Sequence, residues 1–198
     1  LFLPHEWPSI DVSVLKNKTY QEVALEVIYP YVLNEISKND LKKIIDDSYQ
    51  SFSHSKIAPV ATIDQNKYIL ELFYGPTFAF KDYALQFLGN LFTYALPQAS
   101  KKLTVLGATS GDTGSAAIHA FRGKQDINVF ILHPHNRVSE VQRRQMTAVQ
   151  DENIFNIAIK GNFDDCQKIV KELFIDNELQ QQTSLTAINS INWARLMA

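Results

Sequence analysis

The pattern of apolar and polar positions changes near residue 67. Residues 1–66 are mainly polar and their apolar positions recur at helical spacing. Thr19 is a suitable cap for a helix over "YQEVALEVIYPYVL", which Pro30 bends or ends. A second helix is expected to begin near Asn39 or Asp40, and "SFSHSKIAPVATI" is predicted to be a loop. The chain therefore begins with a mainly helical N-terminal region over residues 1–66.

From residue 67 onward, short apolar segments alternate with amphipathic ones. The predicted strands are "KYILELFY", "KLTVLGA", "NVFILH" and "IFNIAIK". The predicted helices are "DYALQFLGNLFTYAL", "TGSAAIHAFRG", "VSEVQRRQMTAV", "FDDCQKIVKELF" and the start of one at "INSINWARLMA". Strands that alternate with helices of ~10–15 residues indicate βαβ units. We therefore predict an α/β fold over residues 67–198, with a parallel sheet and helices on both faces.

Composition excludes several classes of function. The net charge of −2 argues against nucleic acid as a partner, and no apolar run approaches the ~20 residues of a membrane span. A single cysteine, Cys166, allows no internal disulfide and suits a reducing compartment, so we expect a cytoplasmic protein. His133 and His135 flank a proline without acidic or cysteine neighbours, and we expect no metal site.

The glycine-rich segment "GATSGDTGS" lies between a predicted strand and a predicted helix. Its glycines, hydroxyl groups and helix-terminal N–H groups are suited to bind a carboxylate or a phosphate. It is not a dinucleotide fingerprint, because Thr109 occupies the middle glycine position, and it is not a Walker A loop, because no lysine follows. Asp112 is awkward at an anion site, and capping of the helix is its alternative role.

Lys81 directly follows the aromatic segment "YGPTFAF". Asp82 could cap the helix that follows, which would leave Lys81 just outside the positive end of that helix. Two interpretations are open: the stem of Lys81 packs on Phe78 or Phe80 while its ammonium reaches water, or the amine has a lowered pKa and attacks a carbonyl carbon. An amine nucleophile together with an anion cradle is what amino-acid chemistry on pyridoxal phosphate requires.

Five segments occur in the order and approximate spacing seen in one enzyme family. They are "YGPTFAFKD", "GATSGDTGSAA", "RVSEVQRRQMT", "FDDCQ" and "INSINWAR". In these segments the chain resembles threonine synthase, a fold-type II enzyme that uses pyridoxal 5'-phosphate. The resemblance implies conversion of O-phospho-L-homoserine and water to L-threonine and phosphate. It also implies that residues 67–198 are the N-terminal part of the catalytic α/β region.

The resemblance assigns roles to individual residues. Lys81 corresponds to the lysine that binds the cofactor covalently, and its neighbours Phe80 and Asp82 are also expected to contact the cofactor. Substrate-binding positions are Thr109, Ser110, Gly111, Asp112 and Thr113, which hold the substrate carboxylate, and Asn189, Asn192 and Arg195, which line the site. One departure is visible, because Tyr74 stands where the family usually has a histidine.

Two parts of the family's site are not found in this sequence. The family holds the cofactor phosphate with a glycine- and asparagine-rich loop and the pyridine nitrogen with a hydroxyl residue, both further along its chain. We therefore expect this chain to be an N-terminal part that is inactive alone. An O-phosphohomoserine lyase that releases 2-oxobutyrate and a non-catalytic interaction module are the alternatives. A nicotinamide-dependent oxidoreductase is disfavoured by Thr109.

Overall fold

The computed structural model describes residues 6–96 and 102–188. After a 3-10 turn, Val12–Leu15, come the helices α1, Tyr20–Val32, and α2, Lys38–Tyr49. Thr19 caps α1 as predicted, since its hydroxyl accepts from the Glu22 N–H at 3.3 Å and its own N–H donates to Glu22 Oε2 at 2.7 Å. Pro30 lies inside α1 without ending it.

A β-hairpin follows α2, and it corrects the prediction of a loop there. Strands β1, Val60–Asp64, and β2, Lys67–Leu70, pair antiparallel with Val60 opposite Leu70. Asn66, at φ +61°, lies in the turn between the strands and has a left-handed conformation that asparagine tolerates. The segment "VATI" is therefore not a loop, because "KYIL" offers it a partner strand. The first 66 residues thus contain a strand besides their helices.

The rest of the chain alternates between helix and strand. In order the elements are α3, Asp82–Ala95; β3, Leu103–Ala108; α4, Asp112–Phe121; β4, Ile127–Pro134; α5, Glu140–Thr147; β5, Ile154–Ile159; α6, Phe163–Ile175; α7, Asn177–Gln182; and β6, Ser184–Ala187. Strands β5-β4-β3-β6 form one parallel sheet in that spatial order. The predicted strands and helices from "DYALQFLGNLFTYAL" to "FDDCQKIVKELF" are confirmed within a few residues, whereas α7 and β6 are short elements that the sequence pattern did not indicate. The predicted strand "KYILELFY" is corrected, because only its first four residues form β2, which lies outside the parallel sheet. The helix predicted to start at "INSINWARLMA" lies outside the described residues after position 188.

The sheet is covered on both faces, as its continuous apolar strands require. Val105 of β3 and Ile131 of β4 face the side covered by α4 and α5, and both helices contribute fully buried side chains to the same cluster. Leu106 and Leu132 face the other side and pack against Cys166 of α6, whose thiol is buried. The described helices include none that is both long and apolar enough to cross a membrane.

The N-terminal helices share a core with α3. Ile28 of α1 and Ile45 of α2 are fully buried in the same cluster as Phe87 of α3. Tyr49 donates its hydroxyl to the Tyr83 carbonyl oxygen at 3.1 Å, and this cross-link is also buried. Helices α1 and α2 therefore fix α3, and α3 begins one residue after Lys81.

Candidate active site

Asp82 closes the loop that carries Lys81. Its carboxylate accepts from the Thr77 N–H at 2.8 Å and from the Thr77 hydroxyl at 2.7 Å, and its side chain is fully buried. Burial raises the pKa of this carboxyl, while the Thr77 bonds oppose the rise. The prediction that Asp82 caps α3 is wrong. The N-cap position is Lys81, which makes no side-chain cap, and both Asp82 oxygens already bind Thr77.

The loop before Lys81 is tight and locally strained. A Cβ at Gly75 would lie 2.5 Å from the Cβ of Asp82, so no larger residue fits there. Phe78 adopts φ +62°, a conformation that bulky side chains avoid. Strain of this kind persists only where neighbouring contacts impose it, and it is frequent at functional sites. The loop therefore delivers Lys81 in one defined direction.

Lys81 turns towards α4 and does not extend to water. Its side chain is 13% exposed, its ammonium forms an ion pair with Asp112, and the Phe80 ring centroid lies 4.8 Å from Nζ. The interpretation in which the ammonium reaches solvent over an aromatic ring is therefore wrong. The ring contact exists, but the charge is directed to the N-terminal end of α4.

Two hydroxyl groups of the glycine-rich loop brace it from within. Thr109 is 2% exposed, and its Oγ1 accepts from the N–H groups of Gly111 at 3.0 Å and Gly114 at 2.9 Å. The buried Ser115 hydroxyl donates to the Gly111 carbonyl oxygen at 3.1 Å. Asp112 is the first residue of α4 and does not cap it, because Gly111 occupies the N-cap position and Asp112 pairs with Lys81. The capping role predicted for Asp112 is therefore corrected.

Gly111 is required at its position. Its φ of +149° is strained for any L-residue, and a Cβ there would lie 2.1 Å from Gln142 Oε1. In the described part of the chain, the backbone N–H groups of Ser110 and Asp112 have no hydrogen-bond partner. Unpaired amides at the start of a helix attract anions. The loop can thus bind a carboxylate through its backbone.

Lys81 and the loop line the same cavity, which has a volume of about 730 Å³. The other side of the cavity is a face of α6 that the sequence analysis did not identify, with Phe163, Gln167, Val170, Lys171, Phe174 and Ile175. These residues recur at helical spacing from the "FDDCQ" motif onward, and that spacing could have identified the face from the sequence. Lys171 forms no ion pair among the described residues, whereas its neighbour Lys168 faces Glu172 at 4.0 Å.

The remaining candidate residues lie elsewhere. Asn189, Asn192 and Arg195 are outside the described residues. Phe80 does not line the cavity but a separate groove of about 520 Å³. The side chains of Arg143 and Arg144 both bind Glu140 on the exposed face of α5. Over the ranges 6–96 and 102–188, no group of three histidine, cysteine or acidic residues could hold a metal ion.

Comparisons with known proteins agree with this arrangement. Residues 1–49 match the family model described as the threonine synthase N terminus. Over its whole length the chain is 48% identical to the threonine synthase of Pseudomonas aeruginosa and 46% identical to that of Saccharomyces cerevisiae. The chain belongs to the threonine synthase family. It spans 43% and 42% of the length of these two relatives.

Solved structures of threonine synthases share the fold. The structure of the pyridoxal-phosphate-bound enzyme from Brucella melitensis superposes with a TM-score of 0.92 at 46% identity, over 98% of this chain and 42% of its own. The yeast threonine synthase gives 0.89 at 44% identity, over 100% of this chain and 42% of its own. The expected fold-type II architecture is thereby confirmed.

Proposed function

We propose that this chain forms the N-terminal part of the active centre of a threonine synthase, which converts O-phospho-L-homoserine and water to L-threonine and phosphate. The observation that carries the proposal is that Lys81 and the 109–113 loop meet at one cavity. Ion pairing between Lys81 and Asp112 joins the amine directly to that loop. An amine nucleophile beside a carboxylate site is the combination that this reaction needs.

The residues present fit pyridoxal 5'-phosphate. Lys81 is a shielded amine that can bind an aldehyde, and Val170, Phe174 and Ile188 give the cavity apolar surface for an aromatic ring. When bound, the cofactor supplies an electron sink for the carbanion at the substrate Cα. Phe80 acts in this proposal by covering the Lys81 ammonium, and Asp82 by closing the loop.

The substrate is held at its two charged ends. The N–H groups of Ser110 and Asp112 bind its carboxylate, which orients the bonds to be broken. Lys171, a cation on the cavity wall without an ion-pair partner among the described residues, binds its phosphate. Asn189, Asn192 and Arg195 remain predicted members of the site.

Lys81 moves protons between the substrate carbons. Its amine removes protons at Cα and Cβ, and phosphate leaves from Cγ. A proton is then returned to Cγ, water adds its hydroxyl group at Cβ and gives up a proton, and a proton is returned to Cα. Asp112 holds the Lys81 side chain in place through the observed ion pair. A shielded position limits the exchange of these protons with bulk water.

Product analysis on the full-length enzyme tests the proposal. The enzyme is loaded with pyridoxal phosphate and given O-phospho-L-homoserine, and phosphate, L-threonine and 2-oxobutyrate are measured. Equal amounts of phosphate and threonine are expected. Formation of 2-oxobutyrate instead would indicate the lyase, because both reactions share the elimination step. Release of no phosphate would indicate a non-catalytic module. We expect residues 1–198 alone to be inactive.

We also propose that the protein works in the cytoplasm. The proposal rests on Cys166, a buried free thiol that remains reduced in such a compartment. Burial raises the pKa of this thiol, which suppresses the reactive thiolate form. Fractionation of cells that express a tagged full-length enzyme would test the location.

A further inference from the structure

Helix α5 contacts both loops of the candidate site through two glutamine side chains. Gln145 Nε2 donates to the Thr77 carbonyl oxygen at 3.2 Å, in the loop that carries Lys81. One turn earlier, the Gln142 amide lies against Gly111, in the loop proposed to bind carboxylate. The two glutamines are three residues apart and therefore project from the same side of the helix.

The contact of Gln145 reaches Lys81 through a short chain of hydrogen bonds. Thr77 is 5% exposed, and its N–H and hydroxyl both bind the carboxylate of Asp82. Its carbonyl oxygen accepts from Gln145, so the polar groups of Thr77 are held from two directions. Asp82 is covalently next to Lys81. The position of Lys81 relative to α5 is therefore set through Gln145.

The contact of Gln142 fixes the other loop by packing. Gln142 Oε1 accepts from the Ser139 hydroxyl at 2.9 Å, and Ser139 is the N-cap of α5. The amide is thus held against Gly111, where a Cβ would have no room. Met146 of the same helix is fully buried in the cluster that contains Val105 and Ile131, and this packing anchors α5.

We propose that Gln145 and Gln142 are positioning residues that set the spacing between the reactive amine and the carboxylate site. This inference rests on the proposed function. Gln145 acts through Thr77 and Asp82 on Lys81, and Gln142 acts through Gly111 on the loop amides. A glutamine is suited to this work because it is neutral. A charged side chain here would act on the Lys81–Asp112 ion pair nearby.

In the full-length holoenzyme, we expect a change at Gln145 to affect cofactor affinity and a change at Gln142 to affect L-threonine affinity. Gln145→Met keeps the length of the side chain but loses the donor, and we expect cofactor affinity to fall about tenfold, with altered visible absorbance of the lysine-bound cofactor.

Gln142→Ala opens space over Gly111, and we expect the dissociation constant of L-threonine, titrated through the same absorbance, to rise about tenfold. Each variant leaves the other quantity within about twofold. Thr147→Ala, on the exposed side of α5, is the matched control for both and leaves both quantities unchanged.

A purely structural role of α5 gives a different result. If both variants change cofactor affinity and L-threonine affinity by the same factor, or if neither exceeds Thr147→Ala, the inference is wrong. Should Gln145→Met fail to fold, Gln145→Glu loses the same donor, and unchanged cofactor affinity in that variant overturns the role of Gln145. Both binding measurements need no turnover. Failure of the proposed reaction would therefore appear as absent products with the two binding effects intact.

Discussion

Thr109 gives the most direct test of how the carboxylate loop is built. The resemblance assigns it to substrate binding, but its hydroxyl oxygen already accepts from two backbone N–H groups, those of Gly111 and Gly114. Thr109→Val keeps the shape of the side chain and removes that acceptor. We expect it to destabilise the loop from within and thereby to weaken substrate binding indirectly.

The magnitude follows from burial. Thr109 is 2% exposed, so water cannot replace the lost acceptor without moving the loop. An unpaired buried donor costs about 1–3 kcal/mol, and two donors are affected. After partial relaxation, the expected loss in the free energy of unfolding is about 2–4 kcal/mol. Thr109→Ser keeps the acceptor and removes one methyl group, for a loss of about 1 kcal/mol.

Urea unfolding of the full-length enzyme, with L-threonine titration of the folded protein, measures both effects. We expect Thr109→Val to be less stable than Thr109→Ser and to bind L-threonine more weakly. Equal stability of the two variants would refute the bracing role. A Val variant of normal stability that has lost L-threonine binding would show instead that the hydroxyl contacts the ligand.

Three further predictions concern charged groups of the cavity. Lys81→Ala in the full-length enzyme is expected to abolish the visible absorbance of the lysine-bound cofactor and the formation of threonine; an unchanged spectrum would contradict the assignment. Lys171→Gln is expected to raise KM for O-phospho-L-homoserine roughly 3- to 10-fold with the cofactor spectrum unchanged, whereas Lys168→Gln, whose side chain faces Glu172, has no such effect. Asp112→Ala is expected to reduce turnover or substrate affinity more than cofactor affinity; an equal loss of both would show that the loop is mainly structural.

The sequence predicted the elements that have strong local signals. Apolar strands such as "NVFILH" and the cap at Thr19 were evident, because burial on both faces and capping chemistry leave a direct pattern. Strand β1 was missed because its residues are mostly exposed and its conformation depends on pairing with β2. Whether a partner strand is available depends on the tertiary structure, which local composition does not reveal.

The candidate site was predicted in its residues but not in its connections. The motifs identified Lys81 and the glycine-rich loop, yet they did not show that Asp112 pairs with Lys81 or that Asp82 binds Thr77. Both acidic residues were predicted as helix caps, since an aspartate before a helical segment has that role in most sequences. Lys81 and Asp112 are 31 positions apart and come together only in the folded chain, so no spacing rule predicts their contact.

The pairing of Lys81 with Asp112 also resolves why an acidic residue stands in an anion site. A free carboxylate at the start of α4 would repel the carboxylate of a substrate. Paired with Lys81, it contributes no net charge, so an incoming anion meets the unpaired N–H groups of Ser110 and Asp112 at the positive end of the helix. The same pair holds the amine beside these N–H groups. Asp112 therefore serves the amine by its side chain and the carboxylate by its backbone, which explains why one residue belongs to both halves of the site.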